Sequence, residues 1–127
     1  MRGLLDTSVA METLPVSGDN LSISVVTIAE LRFGVERAPD PRERRRRSAR
    51  LQGLGEVFDP LPVDLAVCHA WGDLAAHTAE RGRNPRPRAF DLLIAATARV
   101  HGLTLLTADE DLLWLSDVLD VLDVRRA

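Results

Sequence analysis

Hydrophobic positions along this chain fall into short apolar runs separated by amphipathic stretches. Gly3-Leu4-Leu5 is such a run and ends at Asp6. Thr7 to Glu12 follows as a short helix, capped by Asp6, Thr7 or Ser8 and stopped near Pro15. Gly18-Asp19-Asn20 has turn chemistry, and Leu21-Ser22-Ile23-Ser24 alternates with period two, which predicts a second strand. From Val26 to Arg37 the period becomes helical: Ile28, Leu31, Val35 and Ala38 form a stripe, with Thr27 near the cap and Glu30 one turn inside. Pro39-Asp40-Pro41 breaks that helix. Arg42 to Leu54 predicts another, ending at Gly53 or Gly55, and Val57-Phe58 with Leu61-Pro62-Val63 predicts a short extended element.

Asp64 caps a long helix to about Arg81, with Leu65, Cys68, Trp71, Ala75 and Ala79 on its inner face and Gly82 ending it. The prolines of Arg83-Asn84-Pro85-Arg86-Pro87-Arg88 predict an exposed loop. Phe90 to Ala98 is the most continuously apolar run in the chain. At helical period most of its circumference is apolar, so it predicts a helix buried on several sides and ended by Gly102. Leu103 to Leu106 predicts a buried strand, Leu112 to Leu115 a short helix, and Val118 to Val124 a last strand. Strands alternating with helices give an α/β fold with a mostly parallel central sheet flanked by helices. No internal repeat or long linker interrupts it, so residues 1–127 read as a single domain.

Composition adds limits. The chain has 127 residues and a net charge of −3, with 46% hydrophobic and 28% charged residues, an ordinary globular balance. A lone cysteine, Cys68, leaves no disulfide framework and suits a reducing cytoplasm. No segment is apolar enough to cross a membrane, and the N-terminus meets Asp6 too early for a signal peptide. All 16 basic residues are Arg, which removes every mechanism that needs a lysine. Receiver domains and haloacid-dehalogenase-type phosphatases, which also place acids at strand ends, are excluded on that ground.

The acids carry the candidate chemistry. Asp6 ends the first strand and Asp109 follows the strand at Leu103 to Leu106, so a parallel sheet puts both on one edge. Asp91 heads the apolar helix, where an uncompensated charge costs several kcal/mol. Its compensation is either an N-cap or a cation. Glu30 points back toward the same edge and is not explained by capping. Four carboxylates on one rim repel, and hard oxygen donors without His or Cys favour Mg²⁺ or Mn²⁺ over zinc.

Four segments carry a resemblance: Leu4-Leu5-Asp6-Thr7-Ser8, Thr27-Ile28-Ala29-Glu30-Leu31, Phe90-Asp91-Leu92-Leu93-Ile94-Ala95-Ala96-Thr97-Ala98 and Leu105-Leu106-Thr107-Ala108-Asp109. In this order they resemble the acidic motifs of PIN-domain ribonucleases, and most of all the VapC toxins of bacterial toxin–antitoxin pairs. The resemblance implies a three-layer PIN-like fold and Mg²⁺- or Mn²⁺-dependent endonucleolytic cleavage of RNA. It also implies a homodimer and a VapB-type antitoxin whose C-terminal segment covers the site. Asp6, Glu30, Asp91 and Asp109 would surround the metal, Glu30 through water. Thr7 or Ser8 would orient the first carboxylate and Thr107 the last. Asp111 is a candidate fifth acid, either binding metal through water or standing in for Asp109. Leu112 departs from the aromatic often found at its position. The alternative from another class is a catalytically inactive PIN-like module that binds RNA or protein.

Arg81, Arg83, Arg86 and Arg88 crowd the loop before Asp91 and suit a phosphate-gripping rim beside the acids. The run Arg42 to Arg47 ranks below them, as a solvated helix face. His69, His77 and His101 have no carboxylate at short spacing, and Cys68, Trp71 and Trp114 read as core packing.

Overall fold

Successive side chains of a β-strand point to opposite faces, and that alternation divides the core of this protein in two. The structure is a computed structural model that describes residues 2–12 and 20–126. The expected stop at Pro15 and the turn at Gly18-Asp19 lie outside the described residues. Strands β1 (Gly3–Leu5), β2 (Leu21–Ser22), β3 (Thr104–Thr107) and β4 (Val121–Asp123) pair in the order β2-β1-β3-β4. Every pairing is parallel. The register pairs Leu4 with Leu105 and Leu5 with Leu106. Leu4 and Leu105 enter one core, Leu5 and Leu106 the other.

Helices α1 (Thr7–Ala10), α2 (Val25–Glu36), α3 (Pro41–Val57), α4 (Leu65–Glu80) and α5 (Ala89–Val100) cover the two faces. The first core packs Leu4 and Leu105 against Val67 and Leu74 of α4 and against Leu92 and Ile94 of α5. A 3-10 helix, Glu110–Asp117, adds Leu112 and Leu115 to it. The second core joins Leu5 and Leu106 to Val9 and Ala10 of α1, to Ile23, and to Leu54 of α3. Each such side chain contributes about 1.5–3 kcal/mol on burial, so both faces of the sheet must be covered. The result is the three-layer α/β fold the alternation predicts.

The apolar helix is buried nearly all round: Leu92 and every residue from Ile94 to Ala98 are inaccessible. Its polar member Thr97 donates its hydroxyl to Leu93 O at 2.8 Å, which removes the cost of burying it. Gly82 and Gly102 end α4 and α5 at φ of 75° and 63°, in the left-handed region that a side chain disfavours.

Several local expectations change. The buried face of α4 runs through Val67, Leu74, Ala75 and Thr78, while Leu65 and Cys68 are exposed, so Cys68 is not core packing. Thr78 fits that face because its hydroxyl donates to Leu74 O at 2.7 Å. Ser24, not Thr27, caps α2, accepting from Val26 N at 3.0 Å, and Thr27 is buried. Helix α3 runs past Gly53 and Gly55 to Val57. A helical glycine costs about 1 kcal/mol, and burial of Leu54 between the two offsets it. The extended element after α3 shrinks to one parallel bridge, Ser24 with Leu61. Within the proline-rich loop Arg86–Arg88 forms a 3-10 turn, since proline is tolerated at the start of a helical turn.

Candidate active site

The chain leaves β1 for β2 on one side and returns to β3 on the other, so strand order reverses between β1 and β3. In parallel sheets that reversal opens a crevice at the carboxyl edge. Asp6 and Asp109 follow the two strands that flank it. Asp6 N continues the ladder to Leu106 O at 3.0 Å. Asp6 Oδ1 accepts from Val9 N at 3.1 Å and from the Ser8 hydroxyl at 2.5 Å. The same Ser8 oxygen accepts from Ala108 N at 3.0 Å and so ties the first acid to the end of β3. Asp109 caps the 3-10 helix through Asp111 N at 2.9 Å, and its own N–H donates to Thr107 Oγ1 at 2.9 Å.

Glu30 lies in the second turn of α2, where Oε1 accepts from the Thr7 hydroxyl at 2.6 Å. The hydroxyls of Thr7 and Thr27 stand 3.2 Å apart. Asp91 is the third residue of α5, and the capping position belongs to Arg88 with no side-chain cap bond. The 3-10 turn supplies the reason: Ala89 N already bonds to Arg86 O, so the helix begins before Asp91. Its carboxylate is therefore free of a capping role and accepts from Arg88 Nη1 at 3.2 Å.

Electrostatics join the four acids. Burial raises the pKa of Asp6, and Asp109 adds to the rise, while the hydroxyls of Ser8 and Thr107 and the Val9 N–H oppose it. Burial also raises Glu30, opposed by Thr7 and reinforced by Asp91 and Asp6. Asp91 is raised by burial, with Arg88 pulling it down and Asp109 and Asp6 pushing it up. Asp6, Glu30 and Asp91 are thus each pushed up by at least one other acid of the set, and Asp109 rather than Asp111 is the one that raises Asp6 and Asp91.

Arg88 is the cation among them. Besides Asp91 it reaches Asp109 Oδ2 at 3.3 Å from Nη1 and Asp111 Oδ2 at 2.6 Å from Nη2. Partial burial disfavours its charge, and Asp111, Asp91 and Asp109 more than reverse that. As the side chains lie, no group of three or more acidic, His or Cys side chains among the described residues is arranged to hold an ion. The point where Asp91 and Asp109 converge is taken by the guanidinium. The donor set nevertheless fits a hard divalent cation in kind: carboxylates that repel one another, two of them, Asp91 and Asp109, already facing one positive charge.

The other arginines are placed differently from one another. Arg86 lines a cleft of about 270 Å³ with Glu30, Pro87, Ala89, Phe90 and Asp91. Arg81 pairs with Asp117, and Arg81 and Arg83 lie over the Trp114 ring at 5.6 and 5.0 Å. His77 stacks on the same ring at 6.0 Å. The run Arg42 to Arg47 is largely structural: Arg46 and Arg47 pair with Glu43, and Arg47 donates to Gly34 O at 2.7 Å, fastening α3 to α2. Sequence reasoning missed Phe90, which is 54% exposed in the cleft wall, and the triple pairing of Arg88. The i to i+3 spacing of Arg88 and Asp91 was the available signal.

Known proteins share this fold and much of this sequence. The PIN domain family matches residues 4–117. Ribonuclease VapC4 of Mycobacterium tuberculosis is 39% identical over 92% of this chain and 93% of its own length. Ribonuclease VapC5 of the same organism is 38% identical over 97% and 94%. The crystal structure of VapBC-5, a member of the VapBC family of toxin-antitoxin systems from Mycobacterium tuberculosis, superposes with a TM-score of 0.83. It shares 37% identity over 95% of each chain.

Proposed function

This chain belongs to the PIN-domain family and to its VapC-type group, and on that premise we propose that it is a metal-dependent endoribonuclease toxin. Its substrate is RNA, its cofactor Mg²⁺ or Mn²⁺, and a VapB-type antitoxin neutralises it. It works as a homodimer in the cytoplasm. No helix among the described residues is long and apolar enough to cross a membrane. The observation that carries it is the linkage of Asp6, Glu30, Asp91 and Asp109: Ser8 ties Asp6 to the end of β3, Thr7 ties Glu30 to the residue after Asp6, and Arg88 faces both Asp91 and Asp109.

Asp6, Asp91 and Asp109 are the residues to hold the cation, with Glu30 acting through water. Bound there, the cation supplies a water of lowered pKa and stabilises charge on the phosphodiester. Ser8 fixes Asp6, Thr7 fixes Glu30, and Thr107 fixes the backbone of Asp109, which restricts how far these acids move to take up the cation. Arg86 in the cleft wall offers a forked donor to phosphate, while Arg81 and Arg83 sit over Trp114 and contribute charge from farther off.

The test is cleavage of RNA by the purified chain with Mg²⁺ or Mn²⁺, with and without EDTA, beside Asp6→Asn and Asp91→Asn. Wild type cuts, EDTA stops it, and both variants fold but lose at least about 100-fold in rate. Undiminished cutting by either variant would sink the proposal.

A further inference from the structure

Three ion pairs meet on Arg88, and they are unequal. Nη1 stands 3.2 Å from Asp91 Oδ2 and 3.3 Å from Asp109 Oδ2, whereas Nη2 stands 2.6 Å from Asp111 Oδ2. Charge-assisted N–H···O bonds run about 2.7–2.9 Å, so the guanidinium is anchored on Asp111 and only leans on the other two. The anchor lies outside the site: the Asp111 side chain is 69% exposed, against 28% for Asp91 and 37% for Asp109.

A divalent cation draws carboxylate oxygens in to about 2.1 Å. Asp91 and Asp109 therefore cannot serve it while both face Nη1, because the two positive charges would then lie against each other. Taking the metal-dependent reading above as its basis, we propose that Arg88 is a positioning residue that neutralises Asp91 and Asp109 in the metal-free protein. Arg88 and the cation are alternatives on those two carboxylates. Arg88 keeps Asp111 when the cation binds, and its Nη1 is left free to take a phosphate oxygen of the RNA. Asp111 then holds Arg88 rather than the metal.

The experiment is calorimetric titration of metal-free wild type, Arg88→Gln, Arg88→Lys and Asp91→Asn with Mn²⁺. Thermal melts in EDTA and in Mn²⁺ accompany it. Arg88→Gln binds Mn²⁺ at least about fivefold more tightly than wild type. It melts lower in EDTA and gains more on adding Mn²⁺. Arg88→Lys keeps the charge without the fork, falls between the two, and serves if the Gln variant does not fold. Equal or weaker binding by both Arg88 variants, with binding lost in Asp91→Asn, overturns the exchange and leaves the metal site standing. Absence of Mn²⁺ binding in wild type and in the Arg88 variants overturns the metal-dependent reading and the exchange with it.

Discussion

The Thr7 hydroxyl donates to Glu30 Oε1 at 2.6 Å, across 23 residues of chain. The residue that follows Asp6 thereby fixes the second acid as well as opening α1. Thr7→Val keeps the shape and removes the donor. Glu30 then loses the bond that opposes its raised pKa. Cleavage is expected to fall about tenfold, the equivalent of one lost bond of roughly 1.4 kcal/mol. Adding Glu30→Gln to Thr7→Val should cost less than Glu30→Gln alone, since neighbours on one bond are not additive. Full additivity in that double-mutant cycle would show that the bond does not serve catalysis.

Ser8→Ala breaks two contacts at once, the bond to Asp6 Oδ1 and the one from Ala108 N. The Ala108 N–H is partly buried, so losing its partner costs about 1–2 kcal/mol, the lower part of the range for a buried donor. Urea unfolding should show a loss in that range, together with slower cleavage. A change under about 0.5 kcal/mol would mean that water replaces the hydroxyl without penalty.

The raised acids set a pH dependence with a definite sign. A carboxyl whose folded pKa lies above its unfolded value binds protons more readily when folded. For Asp6, Glu30 and Asp91 the metal-free protein therefore gains stability as pH falls from neutral through their raised values toward the ordinary 3.8 and 4.5. Glu43, lowered to about 2, and Asp123, also lowered, oppose this as pH falls through the ordinary carboxylate range and below it. Melts in EDTA between about pH 7 and about pH 5 should rise more for wild type than for Asp91→Asn. Parallel curves for the two would contradict the repulsion described here.

Arg86 and Arg47 separate the two arginine clusters. Arg86 lines the cleft beside Glu30 and Asp91, whereas Arg47 fastens α3 to α2. Arg86→Gln should weaken RNA binding by the inactive Asp6→Asn protein and reduce its salt slope by about 0.7, one phosphate contact on a single strand. Arg47→Gln should lower the melting temperature and leave the slope alone. Filter binding across a salt series reads both, and an unchanged slope for Arg86→Gln would remove it from the interface.

Core and terminus of α5 should respond on different scales. Ile94→Ala opens a cavity in the first core, between α5 and the sheet, at about 2–5 kcal/mol. Gly102→Ala meets open space, so its cost is the φ of 63° alone, roughly 1 kcal/mol. Denaturant unfolding of the two distinguishes them, and a reversal of the order would place the packing elsewhere.

Local signals were enough for much of this protein. Alternation at Leu4-Leu5 and Leu105-Leu106 dictates two-sided burial, and the run from Leu92 to Ala98 can only be an enclosed helix. Asp64 and Gly82 mark the two ends of α4 and Gly102 the end of α5, and the order of the acids along the chain marks the family. Where a helix is evenly apolar, as in α4, periodicity does not choose between two faces one residue apart. Packing against α5 chose the face of Val67 and Leu74. Only the tertiary structure decided the electrostatics. Asp91 fits a cap by sequence, yet the 3-10 turn starts the helix earlier and leaves its carboxylate to Arg88. Asp109 and Asp111 look interchangeable two residues apart, yet only Asp109 is felt by Asp6 and Asp91. Charge interactions fall off with distance through space, and spacing along the chain does not fix that distance until the sheet has brought β1 beside β3.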